Sequence, residues 1–339
     1  MANDCVNRSS NVNNPITPWR PTAQLHQLEL RARLIQSLRS FFLSRQILEI
    51  ETPLLSHYAT TEVHLQSFTV HESASSKPSG YLRTSPEMAM KRLLAAGSGS
   101  IYQIAKAFRV GERGARHNPE FTLLEWYRVQ TDYAAFIAEN IELIESVLQP
   151  HLALQPAQQI RYRDAFLHYA QVDPMQDSVA RLREVFCTSH DISSMTIAME
   201  DRDTWLDLLL THRVEPALPR DRLVVIRDYP ASQAALARLC PNDPACAERF
   251  EIYLNGIELA NGFHELSDAT EQAARIEQEI QQRKKLGLVA VRADPHFLAA
   301  LQHGLPDCCG VAIGVDRLVM LAAGVTTIDE VLSFPYEWA

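Results

Sequence analysis

Apolar residues recur at helical spacing first over about Gln24–Gln46. Leu34, Leu38 and Phe41/Phe42 share one face and arginines occupy the other, which predicts an amphipathic helix. Ile47–Glu51 then alternates apolar and acidic residues as a short strand closed by Thr52-Pro53. Phe68–Gly80 reads as a strand followed by a Ser/Lys/Pro turn, and Tyr81–Thr84 as another strand. Ser85-Pro86-Glu87 starts a helix to about Ala96. Ser85 is placed to cap it, Pro86 suits its first position, and Glu87 favours its first turn. Capping accounts for all three residues.

Ile101–Val110 and Phe121–Val129 are predicted strands flanking the loop GERGARHNPE, and Asp132 caps a helix to about Leu148, stopped by Pro150. Between 150 and 245 the pattern gives short helical pieces near Asp164–Ala170, Val179–Phe186 and Asp203–Leu210. A buried strand, Leu223–Ile226, then leads into an Asp228-Tyr229-Pro230 turn. Phe250–Leu266 forms two strand-like runs around Asn255-Gly256, a dipeptide favoured in tight hairpins. Asp268 and Glu271 open a helix that ends at Lys284–Gly287. Gly310–Gly324 is a glycine-punctuated strand running into an apolar helix, with Arg317 at the junction. Residues 1–24, rich in Asn, Ser and Pro, read as a poorly ordered polar tail.

Composition narrows the class. The chain has 339 residues, 46% of them hydrophobic and 22% charged, enough for a substantial core. Its net charge of −9 argues against gripping nucleic acid chiefly through phosphate neutralisation. No apolar run approaches the roughly 20 residues a membrane helix needs, and the polar start lacks a signal-peptide core, so a cytoplasmic protein is expected. The six cysteines show no CxxC pair and no metal-ligand spacing.

Candidate chemistry concentrates in Phe108–Arg128. Arg109 and Arg116 carry permanent charge in forks that match phosphate oxygens. Phe121 offers a flat apolar face, and Glu120 and Glu125 offer acceptors or metal ligands. A polyphosphate with a stacked base suits this mixture, as does a basic hairpin edge laced with surface ion pairs. Glu251, Glu258 and Glu265 recur every seven residues, and a hairpin between the first two allows them to converge.

Taken together, Arg109 with Arg116-His117-Asn118-Pro119-Glu120-Phe121, Gly314-Val315-Asp316-Arg317, and the first helix with Glu49–Pro53 resemble the three signatures of class II aminoacyl-tRNA synthetases. The similarity to lysyl-tRNA synthetase runs from about residue 25 to the end. It implies an α+β fold, an antiparallel β-sheet flanked by helices, over 25–339, with 150–245 as a connecting region. The 24 residues upstream are too few for an anticodon-reading OB fold, so no anticodon binding is expected. The chain resembles the elongation factor P–lysine ligase family, which attaches (R)-β-lysine to a lysine side chain of elongation factor P. Ala312, where synthetases carry glycine, and Ser85, where they carry alanine, match that family.

The resemblance implies ATP and Mg²⁺, adenylate formation, and a homodimer. It assigns Arg109 to the α-phosphate and Arg317 to the γ-phosphate side, both catalytic. Val110, Gly111, Glu112, His117, Asn118, Leu259 and Gly314 join the ATP site, and Phe121 stacks on adenine. Glu251 and Glu258 hold Mg²⁺. Glu87, beside Ser85 and Pro86, binds one substrate amine; Glu265 with Tyr127 binds the other, and Ala312 lines the pocket. Phe108–Glu112 departs from the synthetase pattern FRNEG, which opens the roles of Val110 and Gly111. Two other readings are a truncated synthetase acting on tRNA and a non-catalytic dimer that senses lysine or ATP.

Overall fold

The computed structural model describes residues 19–72, 78–189 and 201–339. Most of the tail expected over 1–24, and part of the turn expected before Gly80, lie outside the described residues. The helical spacing at the start becomes α1 (Leu25–Ser44), which buries Leu30, Leu34, Leu38, Phe41 and Phe42. Burying side chains of this size contributes roughly 1.5–3 kcal/mol each. The chain continues through β1 (Leu48–Glu49), β2 (Leu55–Ser56), β3 (Thr69–Val70), β4 (Gly80–Leu82), α2 (Glu87–Ala95), β5 (Ile101–Phe108), β6 (Glu120–Val129) and α3 (Tyr133–Leu148). Asp132 caps α3 as its sequence predicts, accepting from the amides of Ala134 and Ala135.

Next come β7 (Gln155–Arg161), α4 (Tyr162–Ala165), α5 (Val179–Ser189), α6 (Arg202–Leu209), β8 (Arg222–Pro230), β9 (Leu239–Cys240), β10 (Asp243–Leu254) and β11 (Ile257–His264). The chain ends with α7 (Ala269–Lys285), α8 (Pro295–Gly304), β12 (Cys308–Gly314) and α9 (Val315–Ala323). One large sheet runs β1-β5-β6-β12-β11-β10-β8-β7, with β9 beside β10, and β2, β4 and β3 form a small second sheet. The central pairings are antiparallel, whereas β1 with β5 and β7 with β8 are parallel.

Two sequence expectations need correction. Asp228-Tyr229-Pro230 is no turn: it lies within β8, where Asp228 takes φ 61° and the pairing with β10 shifts register. The turn signal marks a bulge inside a strand. The stretch from 150 to 245 also adds a strand that its polar sequence hid, β7, at the far edge of the large sheet.

Alternation along β6 divides the protein. Leu124 and Trp126 join α1, α3 and α9 in the main core on one face. Glu125 and Tyr127 point to the other face, where Tyr127 meets α2 and α8. Tyr253, Val224 and Ile226, farther along the sheet, pack there against α4, α5 and α6. Asp316 locks the layers together. Its Oδ1 pairs with Arg31 Nη1 at 2.5 Å and its Oδ2 accepts from the Thr122 amide at 2.7 Å, tying α9 to α1 and β6.

Candidate active site

Strand register sets one row of side chains across the open face. Gln103 of β5 pairs with Glu125 of β6, Glu125 with Ala312 of β12, Ala312 with Asn261 of β11, and Asn261 with Glu251 of β10. Cross-strand partners project to the same face, so polar groups flank Ala312 on both sides. Ala312 is the small residue of the row.

Around Glu125 the groups are buried and interlocked. Ser85 Oγ donates to Glu125 Oε2 at 2.7 Å and Tyr127 donates to Oε1 at 2.8 Å. Ser85 also accepts from the Glu87 amide at 3.0 Å, so one hydroxyl both starts α2 and orients the acid. Burial, with the nearby Glu87 adding, pushes Glu125 up to about 8. Lys91, one helical turn beyond Glu87, is 1% exposed and sits 2.6 Å from both Glu87 and Glu265. Burial opposes the Lys91 charge, but the two carboxylates outweigh it and hold the ammonium protonated. Burial raises Glu265 to about 7, with Lys91 opposing the shift. A Cβ at Gly310 would collide with the Tyr127 ring and Glu265 Oε1, so glycine there lets the pair close over β12.

Beside this row is a cavity of about 230 Å³ lined by Arg109, Glu112, Arg116, His117, Asn118, Phe121, Glu258, Gly314 and Arg317. The Arg109 guanidinium lies over the Phe121 ring, 5.0 Å from its centre, and Nη1 pairs with Glu112 at 3.2 Å. Arg317 donates to the Glu258 carbonyl at 2.7 Å, lies 3.3 Å from its carboxylate, and meets His117 Nε2 at 2.8 Å. Burial and then Arg317 lower His117, which keeps its ring neutral and Nε2 able to accept. Arginines gathered in one cavity with a half-buried aromatic ring suit an anionic ligand with a flat base.

Comparison with known proteins gives the lineage. A family described as tRNA synthetases class II (D, K and N) matches residues 8–337. The chain belongs to this family. It is 47% identical to an elongation factor P–(R)-β-lysine ligase of Vibrio vulnificus, over 94% of this chain and 98% of the relative. Proteins of the same description from Klebsiella pneumoniae and Yersinia enterocolitica are each 46% identical, over 95% and 94% of this chain. This class II synthetase-like chain thus spans nearly the full length of those relatives.

The residues expected to hold ATP fall into distinct environments in the family fold. Arg109, Glu112, His117, Phe121, Glu258, Gly314 and Arg317 meet at one cavity. Asn118 lines it too, yet its side chain braces the loop: Nδ2 donates to the Glu120 carbonyl at 2.6 Å and Oδ1 accepts from the Tyr336 amide. Leu259 is buried in the main core on the opposite face, so its side chain is turned away from the cavity. Gly111 takes φ 82°, which favours glycine, and Val110 donates its amide to Gln66. The departure from the synthetase pattern is therefore a left-handed turn that brings Glu112 back to Arg109.

Glu251 and Glu258 share a face, since Glu258 pairs across the hairpin with Tyr253, two residues beyond Glu251. Burial and then Glu251 raise Glu258, a repulsion that a cation would relieve. Glu251 is already engaged by Arg249 at 2.5 Å and by the Tyr253 hydroxyl. Its oxygens would have to be shared with any ion, whereas Glu258 is freer.

Lys91 and Asn261 were not singled out from the sequence. Lys91 lies four residues after Glu87, a helical ion-pair spacing. Asn261 has no such signal, and its buried Oδ1 has no partner among the described residues, leaving an acceptor on the open face.

Proposed function

We propose that this protein uses ATP to activate (R)-β-lysine or lysine as an aminoacyl-adenylate and transfers it to a lysine side chain of elongation factor P. The observation that carries the substrate class is the buried charge set. Glu87 and Glu265 pair with one protein ammonium, Lys91, whose charge also acts on Glu125, and Asn261 adds an acceptor unpaired among the described residues. A dibasic amino acid brings two ammonium groups to such a site. The relatives' name supplies the acceptor.

In the first step the substrate carboxylate attacks the α-phosphate and pyrophosphate leaves. Charge grows on phosphoryl oxygens, so fixed cations lower the barrier most. Arg109 serves the α-phosphate and Arg317 the departing phosphates, with Phe121 under the adenine. Neutral His117 holds Arg317 in place. Glu258, with Glu251, would hold Mg²⁺, which neutralises phosphate charge when bound. Glu265 with Tyr127 anchors one substrate ammonium and Glu87 the other, above Ala312. The family resemblance supports a homodimer, and Leu43, Leu48, Leu54 and Leu55 expose apolar surface at and just after α1.

Pyrophosphate exchange should depend on β-lysine or lysine, and label should pass to elongation factor P. Label on tRNA with none on elongation factor P would overturn the proposal. Binding should also release protons. In the free site Glu125 and Glu265 are pushed up to about 8 and about 7, and pairing with ammonium groups favours their ionised forms. Affinity should therefore rise with pH from about 6 to 8, by up to tenfold per unit for each proton released. Calorimetry in buffers of different ionisation enthalpy reads the proton count; a count of zero would remove this account.

A further inference from the structure

A second cavity, of about 270 Å³, opens beside Glu87 and has a lining distinct from that of the ATP cavity. Leu55 to Glu62 form one wall, and Met88, Arg92 and Phe297 face them. Ser85 and Glu87, which are hydrogen-bonded into the acid cluster around Glu125, line it, while Arg109, Phe121 and Arg317 do not. Ser85 and Glu87 thus face a cavity that also holds Glu62.

The segment carrying Glu62 is fastened from three directions. Arg283 donates to the carbonyls of Glu62 and Leu65 at 2.7 and 3.1 Å. Thr61 donates to Glu279 at 2.5 Å, and the Val110 amide donates to Gln66 at 2.9 Å. The backbone is held, yet the Glu62 carboxylate has only a long contact among the described residues, 3.5 Å from Thr60 Oγ1. Glu87 of α2, Glu279 of α7, Arg109 of the nucleotide loop and Arg249 of β10 act on it. Arg83, Arg92, His57, Tyr58, Asp294 and His296 supply the other charged and titratable groups of the cavity.

We propose that this cavity admits the acceptor lysine side chain and that Glu62 takes its proton. The proposal rests on the ligase reading above. The acceptor ammonium gives one proton to a Glu62 oxygen, and the freed nitrogen lone pair bonds to the acyl carbon of the adenylate. The bond from that carbon to the phosphate oxygen breaks and AMP leaves with its electron pair. The nitrogen then sheds its second proton to water, leaving an amide. Burial, with Glu87 and Glu279 adding, raises Glu62 to about 7, suited to accepting a proton near neutral pH.

The test separates the two half-reactions. Glu62→Gln should leave pyrophosphate exchange, and its KM for the amino acid, within about twofold of the parent. Single-turnover transfer from preformed adenylate to elongation factor P should fall on the order of 10²-fold. Transfer by the parent protein should rise with pH through about 7, and Glu62→Gln should lose that inflection while Glu62→Asp retains part of the rate. A matching rise in amino-acid KM would make Glu62 a substrate anchor and overturn the proposal, as would unchanged transfer. Failure of the parent protein to label elongation factor P would sink the ligase reading instead, whatever Glu62 does.

Discussion

Arg109→Ala is expected to lower amino-acid-dependent pyrophosphate exchange on the order of 10²- to 10³-fold, the scale for removing a fixed group aimed at transition-state charge. The fold should survive. The side chain is about 25% exposed, and it gives up one 3.3 Å bond to the Thr84 carbonyl and one pair with Glu112. Partly exposed pairs of this kind contribute about 0–1 kcal/mol. Arg109→Lys should recover little, because a point charge does not reproduce the planar fork over Phe121. Exchange measured beside a thermal melt decides the matter: near-normal exchange would refute the assigned role, and a collapsed melt would reassign Arg109 to structure.

Lys91→Met should damage stability more than any single change at the ATP cavity. It leaves Glu87 and Glu265 beside each other without their shared cation, and breaking a buried pair from one side costs about 3–5 kcal/mol. The sign with pH follows. The Lys91 pKa is raised on folding, so its contribution is complete below the unfolded-state value of about 10.4 and is lost as pH rises through the higher folded value. The parent protein should keep this contribution across neutral pH. Glu265 is already raised to about 7, and losing Lys91 would raise it further. The variant should then regain stability as pH falls towards about 4.5, because protonation removes the orphan charge. Denaturant melts of both proteins at pH 8 and 5.5 would show the gap narrowing. An equal deficit at both values, unrelieved by adding Glu265→Gln, would rule out the charge explanation.

Local rules read the elements that carry the site well. The spacing of Leu34, Leu38 and Phe42, the cap at Asp132, the Asn255-Gly256 hairpin and the Gly314–Arg317 junction each declare themselves within a few residues. Periodicity and capping act over one or two turns, so they survive in a single sequence. Where a long-range partner decides, the reading fails. β7, Gln155–Arg161, is mostly polar and becomes a strand because β8 offers a parallel edge. Asp228–Pro230 carries turn residues but stays in β8, because β10 absorbs the kink as a bulge.

The same division holds at the site. By itself the sequence presented, in order, the residue types that the proposed adenylation would use, from Arg109 and Phe121 through Glu251 and Glu258 to Arg317. It also carries Ala312 and Ser85, two positions at which it resembles the ligase family. Only the tertiary structure decided which of these share a solvent and a field. Register across three strands put Glu125, Ala312 and Asn261 in one row, although they lie far apart in the chain. Packing of α2 on the sheet drove Lys91 between two acids, turning a surface-like helical spacing into a buried charge balance. Dielectric surroundings and strand register arise from contacts between distant segments, and no local run of residues encodes them.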